Sequence, residues 1–215
     1  MEQLILTPEE LFALGKRMNG EFYLYDYYSA IPPVEAGEGK KLLWRAESAL
    51  TEKGILEEDD EGELMVIPEA EALLRPIFFG PHQTQLQLVK DVESEEAIRF
   101  CFHTLENAVT MVSRTQEGFE IRSADDDFLT SFAVYLMPEG YLEREAPQAQ
   151  LELRREDTTQ FVYAQSSGIG EAARELAVFH CDGWLCRALP DESVTLLSPG
   201  EFVNCLLQII KGEEE

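Results

Sequence analysis

Cys101 and His103 stand two apart in the run FCFHT, and a second Phe-His pair, Phe179-His180, recurs near the other end of the chain. Thiolate and imidazole are the ligands of zinc, so Cys101, His103 and His180 form the first group to weigh as a metal site. Residues two apart on a strand share a face, and His180 joins them only if the fold brings the two runs together. No CxxC or HxxxH spacing supplies further ligands, and solvated or hydrogen-bonded histidines account for these residues without an ion. The sequence predicts no metal. Nucleophiles fare no better. The four cysteines, Cys101, Cys181, Cys186 and Cys205, sit in apolar runs where a thiol stays protonated. No GxSxG elbow is present. The Gly-x-Gly of SSGIGEAAREL lacks a third glycine, a P-loop lysine and a clear preceding strand, and it reads as a turn. Asp125, Asp126 and Asp127 could hold a cation, yet acids at the positive end of a helix explain all three. Neither a catalytic site nor a cofactor is expected; the chain reads as a non-enzyme.

The bulk composition points the same way. There are 215 residues, 45% of them hydrophobic, enough for one substantial core or two small ones. Against 17 Lys and Arg stand 42 Asp and Glu, a formal net charge of −25. Such a field repels nucleic-acid phosphates and anionic lipid and keeps the protein soluble; it fits a well-solvated surface first and a basic partner second. The start, MEQLILTPEEL, has no basic n-region, and no apolar run approaches the ~20 residues of a membrane span. With no CxxC pair and sparse cysteines, the expectation is a reduced, cytoplasmic protein that does not insert into membranes.

Elements follow from caps and periodicity. Thr7-Pro8-Glu9-Glu10 opens a helix with a capping box and proline in its first turn; Leu11, Leu14 and Met18 recur at helical spacing before Asn19-Gly20. The aromatic run FYLYDYYSAIPP is either a short buried helix or a loop. A helix from about Gly39 to Lys53 presents Leu43, Ala46 and Leu50 and stops at Gly54. Two short strands then flank an acidic turn, and PEAEALLRPIF makes a helix that Pro76 kinks or ends. From Gln83 the period becomes two: TQLQLV, AIRFCFHT, AVTMVSR and FEIRS are strands, followed by the helix ADDDFLTSFAVYLM. Between 138 and 175, QLELRRE could be a strand and DTTQFVYAQ a helix or a strand. ELAVFHC-DG-WLCRAL is a hairpin through a two-residue turn, VTLL a last strand, and Ser198 caps a final helix.

Two stretches repeat this order. FCFHTLENAVTMVSRTQEGFEIRSADDDFLTSFAVYL and AVFHCDGWLCRALPDESVTLLSPGEFVNCLLQII both run strand, strand, short strand, serine, acid, phenylalanine, apolar helix. Aligning the Phe-His pairs makes Phe102 equivalent to Phe179, makes Ser123 and Ser198 the N-caps, and places Phe128 and Phe202 in the core. Parity within the second hairpin puts Ala177, Phe179, Cys181, Trp184, Cys186 and Ala188 on one apolar face, read as core. Leu176, Val178, His180, Leu185, Arg187 and Leu189 form a mixed face, read as a half-covered surface that either binds a partner or is covered by helices. In the first copy Ile98, Phe100 and Phe102 likewise oppose Arg99, Cys101 and His103. The fold class expected is α+β: a central antiparallel sheet with helices, a quasi-two-fold repeat of β-β-β-α units and an N-terminal helical, winged-helix-like segment. Its parts are 1–83, the helical segment with the acidic hairpin inside the same domain; 84–138, the first half; and 139–215, the second. Lys40, Lys41, Arg45 and Lys53 lie on the helix in recognition position, but the wing would be Glu57-Glu58-Asp59-Asp60-Glu61-Gly62-Glu63. Those acids oppose phosphate, and no nucleic acid is expected as a partner.

LILTPEELFALGKRMNG, then WRAESALTEKGIL, an acidic hairpin and VIPEAEALLRPIF, resembles the opening of the EspG proteins, cytosolic chaperones of ESX (type VII) secretion systems. The later order, from the strands after 84 through DDDFLTSFAVYLMP to LLSPGEFVNCLLQII, is similar too. The chain is shorter than the usual member, and its middle does not map. The resemblance implies an α+β fold with quasi-two-fold symmetry. It also implies a role: binding a helical-hairpin secretion substrate, of WXG type or PE/PPE-like, and delivering it to the secretion machinery. By element order it places the client-contacting loop at Asp91, Val92, Glu93, Ser94, Glu95 and Glu96. The alternative from the residues alone is a winged-helix transcriptional regulator with a ligand-binding α+β domain.

Overall fold

The structure, a computed structural model, describes residues 3–20, 37–92, 96–143, 158–188 and 194–213. The run FYLYDYYSAIPP and the QLELRRE segment, both singled out in the sequence, lie outside the described residues. Among those described, nine strands form one antiparallel sheet in the order β1-β7-β6-β5-β4-β8-β9-β10-β11. They are β1 (Gln3–Leu6), β4 (His82–Val89), β5 (Ala97–Leu105), β6 (Ala108–Arg114), β7 (Phe119–Ser123), β8 (Thr158–Gly168), β9 (Arg174–Cys181), β10 (Trp184–Ala188) and β11 (Val194–Leu196). A separate hairpin joins β2 (Leu56–Glu58) to β3 (Leu64–Val66), and the helices are α1 (Pro8–Arg17), α2 (Gly39–Glu52), α3 (Pro68–Phe79), α4 (Asp126–Tyr135) and α5 (Pro199–Lys211). The fold is α+β with a large antiparallel sheet, as expected. The chain divides into two compact units, Met1–Gly80 with Thr110–Ser123 and Pro81–Val109 with Ala124–Glu215.

In the first unit local signals act as read. Thr7 Oγ1 accepts from the Glu10 amide and the Glu10 carboxylate accepts from the Thr7 amide, closing the capping box. That carboxylate is buried and is met by Lys53 Nζ at 2.7 Å, so one side chain caps α1 and ties it to the C-cap of α2. Gly54, with φ of +66°, lets its own amide and that of Ile55 reach back to Thr51 and Leu50 and close the end of α2. Pro76 does not end α3: the helix continues to Phe79, with Pro76, Ile77 and Phe78 buried. The sequence reading missed β1, which pairs with β7 by setting Leu4 opposite Ile121 and Leu6 opposite Phe119.

The second unit is built around β4 and β8. Leu86 pairs with Ala164 at their centre, and β4-β5 and β8-β9 run outward from it in opposite directions. The repeat is therefore real and longer than the sequence suggested, since each copy begins one strand earlier. Its register differs by one residue from the Phe-His alignment. The turns Glu106-Asn107 and Asp182-Gly183, opened by left-handed Glu106 and Asp182, are equivalent, as are Phe100 and Leu176 beside the central pair. Phe102 then matches Val178, not Phe179; Phe102 and Val178 are both fully buried. The helices shift likewise. Asp125 rather than Ser123 caps α4, its carboxylate accepting from the Phe128 amide, while Ser198 caps α5 with Glu201 completing a capping box. Counted from the caps, Phe202 corresponds to Leu129. Both are buried, whereas Phe128 falls one place early and is half-exposed.

The assignment of sheet faces is also corrected. α5 lies on the face that carries Thr84 and Thr104, whose hydroxyls donate to the Ile209 and Ile210 carbonyls at 2.9 Å. Strand pairing puts Phe100, Phe102, Val162, Leu176, Val178, His180 and Leu185 on this same covered face. The mixed face of the second hairpin is thus the core face. Its aliphatics fill the space under the helices, and His180 and Arg187 lie among them. The wholly apolar set is the less covered one: Ala177, Phe179 and Trp184 are partly exposed, although Cys181 and Cys186 are buried. In the first copy Phe102 is core, Phe100 half-buried and Ile98 exposed.

Candidate functional site

Strand pairing separates the residues first weighed as a metal site. Cys101 and His103 share one face, Cys101 Sγ lying 3.4 Å from His103 Nε2, and His180 projects from the opposite face. Burial holds the His103 ring at a pKa of about 3 and the His180 ring at about 4. Among the described residues no group of three or more His, Cys, Asp or Glu is placed to hold a metal ion. Burial, with Cys181 nearby, pushes the Cys186 thiol up to about 12, which leaves it protonated. Asp125 is a cap, and Asp126 pairs with Lys211 at 2.8 Å. The Gly-x-Gly is structural. A Cβ on Gly168 would lie 2.8 Å from the His82 ring, and Gly170 has a φ of +80°.

What the second unit does present is an apolar patch at one end of its sheet. β4 and β5 close there, with Val89 opposite Ala97. Of the six loop residues singled out, Asp91, Val92 and Glu96 are exposed at this tip, and Glu93, Ser94 and Glu95 lie outside the described residues. Val92 is 46% exposed, Ile98 on β5 41%, and Tyr135 at the end of α4 56%. Three large apolar groups at one edge of a unit are what a contact surface requires.

The sequence explains how they are held. Phe132 is the pivot of α4, with its ring 5.0 Å from Phe100 and 5.5 Å from Phe102, edge to face, and stacked at 6.1 Å on Phe128. Those contacts seat α4 on the sheet and carry Tyr135 to the tip. Lys90, the first residue past β4, then reaches back. Its ammonium donates to the Tyr135 hydroxyl at 2.6 Å and sits 5.0 Å from the ring centroid. This engages the lysine of the tip with an aromatic ring; Asp91, Glu96 and Arg99 are the other exposed charged residues described near Val92 and Ile98. On the opposite face the tip continues into Phe161, stacked on Tyr163 at 6.3 Å. Burial and neighbouring Glu175 both raise the Tyr163 pKa, which keeps the phenol neutral. Sequence reasoning placed a loop between β4 and β5 but did not anticipate the exposure of Ile98 and Tyr135. Exposure of Ile98 depends on where α4 ends relative to β5, and no local pattern encodes that.

Neither a family model nor a curated protein matches the sequence. The fold does match a solved structure. The chain is similar to the type VII secretion system chaperone EspG5 of Mycobacterium tuberculosis, solved in complex with a PE25–PPE41 dimer, at a TM-score of 0.59 and 10% identity over 99% of this chain and 98% of that one. The fold is therefore EspG-like.

Proposed function

We propose that this protein is a secretion chaperone or adaptor that binds a helical client through the β4–β5 tip and catalyses nothing. The observation that supports it best is the apolar patch of Val92, Ile98 and Tyr135 beside an acidic loop, on a fold like that of a chaperone whose solved complex contains a PE–PPE dimer. A helical hairpin offers a strip of apolar side chains flanked by polar ones, and this tip offers exposed apolar groups with charged Asp91 and Glu96 nearby. The client expected is a helical-hairpin protein of WXG or PE/PPE type, bound in the cytoplasm before export. No helix among the described residues is long and apolar enough to cross a membrane. The winged-helix regulator is less favoured, because Glu57, Glu58, Asp59, Asp60, Glu61 and Glu63 are all exposed on and beyond the β2–β3 hairpin and oppose a phosphate backbone.

The test is co-purification of bound protein from native cells with wild-type and with Glu93→Lys/Glu95→Lys/Glu96→Lys. The triple variant should lose the client and keep its melting temperature, since exposed charge changes alter stability by under about 0.5 kcal/mol each. Undiminished client recovery from the variant would remove the loop from the reading. Recovery of no specific partner by the wild type would remove the chaperone role itself.

A further inference from the structure

The first unit carries a second exposed surface. Trp44, on α2, is 67% exposed, and it opens a groove of about 370 Å³ between α2 and the β2–β3 hairpin. Leu64 lines this groove, and Glu47, Glu52 and Glu58 surround it. Arg17 engages Glu47 at 2.7 Å, while Glu52 and Glu58 are exposed. The acidity continues into the turn, where Asp59 Oδ1 accepts from the amides of Glu61 and Glu63 and orders the acidic tip.

The charges along α2 run against what the helix itself favours. Lys40 and Lys41 occupy its first turn, where the helix dipole is positive, and Glu47 and Glu52 occupy its second half, where it is negative. The compensating sign stands only at the flanking residues: Glu38 at the N-cap, which makes no side-chain capping bond, and Lys53 at the C-cap, which pairs with Glu10. Arg17 accounts for Glu47, while Glu52 and Glu58 stay exposed on the groove and leave it acidic. A partner segment that is basic there complements it.

We infer that this groove docks a short lysine- or arginine-bearing segment of a partner protein. One basic side chain lies over the Trp44 indole, others pair with Glu52 and Glu58, and an apolar residue of the partner rests on Leu64. An indole is the best cation–π acceptor among side chains, and exposed on an acidic rim it suits an ammonium or guanidinium group. A second copy of this chain is the poorer occupant, since two bodies of net charge −25 repel. Unlike the β4–β5 tip, this surface belongs to the first unit, so the two readings fail separately.

A fluorescein-labelled amphipathic peptide of leucine and lysine, about sixteen residues long, titrated with the full chain at low salt tests it by anisotropy. Trp44→Ala and Glu52→Lys/Glu58→Lys should each weaken binding at least tenfold with unchanged far-UV circular dichroism, and Lys40→Ala/Lys41→Ala should not weaken it. Reversing two of 42 acids barely alters the overall field, so a tenfold loss reports the groove. In Trp184→Phe, which leaves Trp44 as the one indole, saturation should shift the emission to the blue. Equal affinity of wild type, Trp44→Ala and the double reversal would overturn the inference. So would equal binding of a peptide with glutamate in place of lysine, or a concentration-dependent dimer abolished by Trp44→Ala.

Discussion

The one-residue offset between the two copies makes a quantitative demand on three side chains. Phe202 of α5 is fully buried; a ring of its size removes about 150–250 Å² from water. At about 25 cal/mol per Å², less what alanine retains, Phe202→Ala should cost about 3–5 kcal/mol, the range for a buried aromatic. Leu129 occupies the equivalent place in α4 and is equally buried, so Leu129→Ala should cost about 2–5 kcal/mol. Phe128 is half-exposed and stacked on Phe132, and Phe128→Ala should cost about 1–2 kcal/mol. For a chain of this length each kcal/mol moves the melting temperature by about 2–4 °C. Thermal melts followed by far-UV circular dichroism should therefore fall by about 6–20 °C for Phe202→Ala, about 4–20 °C for Leu129→Ala and about 2–8 °C for Phe128→Ala. A large loss for Phe128→Ala with a small one for Leu129→Ala would refute the reasoning. It would put Phe128 in register with Phe202, as the Phe-His alignment has it, and the helix position described above would be wrong.

Two further outcomes follow from buried polar groups. Burial sets the folded pKa of His103 at about 3 and of His180 at about 4, below the ordinary 6.5, so on acidification the unfolded chain takes up protons first. Their contribution to stability is whole above pH 6.5 and declines as the pH falls towards 4, by about 2 kcal/mol per ring at pH 5. Imidazole resonances of His103 and His180 should stay unshifted down to pH 5 in the folded protein, and a ring that titrates near 6.5 would contradict the burial argument. The buried Tyr141 hydroxyl donates to the Leu197 carbonyl and accepts from the Leu185 amide at 3.2 Å, so Tyr141→Phe should cost about 1–3 kcal/mol and speed exchange of the Leu185 amide; unchanged urea unfolding and exchange would show that the hydroxyl does not bridge them.

What the sequence reveals, and what it hides, divides along local and non-local lines. The capping boxes at Thr7 and Ser198, the stop at Gly54 and the turn at Asp182-Gly183 are written in three or four adjacent residues, and each stands where it was read. β1 is hidden because four residues form a strand only against a partner more than a hundred positions away. β8 is ambiguous because TTQFVYAQSSG lies between β4 and β9, and its two faces meet different surroundings. Face assignment fails for a related reason. Apolar character alone favours Ala177, Phe179 and Cys181, but the helices settle on Leu176, Val178 and Leu185, whose branched side chains fill an interhelical space that alanine and cysteine cannot. The position of the loop was legible in element order. The apolar groups beside it were not, because the place of Tyr135 depends on how Phe132 seats α4 against Phe100.

The quasi-two-fold symmetry also bears on the surface proposed for client binding. It pairs the β4–β5 tip with the β8–β9 turn at the opposite end, where Val89 gives way to His82 opposite Gly168. Each copy ends its helix beside its own tip, so a perfect repeat would offer two like surfaces. The copies differ in how that end is finished. In the second, α5 closes with Gly212 at a φ of +76° against the His82 ring, and the Arg174 guanidinium donates to the Glu213 carbonyl. Backbone and polar groups thus cover the last turn. In the first, α4 ends on Tyr135, which stands out from the last turn with Lys90 against it. Ile169 is exposed at the second tip, but the helix end beside it is finished with a glycine and an arginine. At the first tip Val92, Ile98 and Tyr135 are each exposed. Duplication supplies the scaffold twice, and divergence at the two helix ends leaves an apolar contact surface at the tip that the client reading uses.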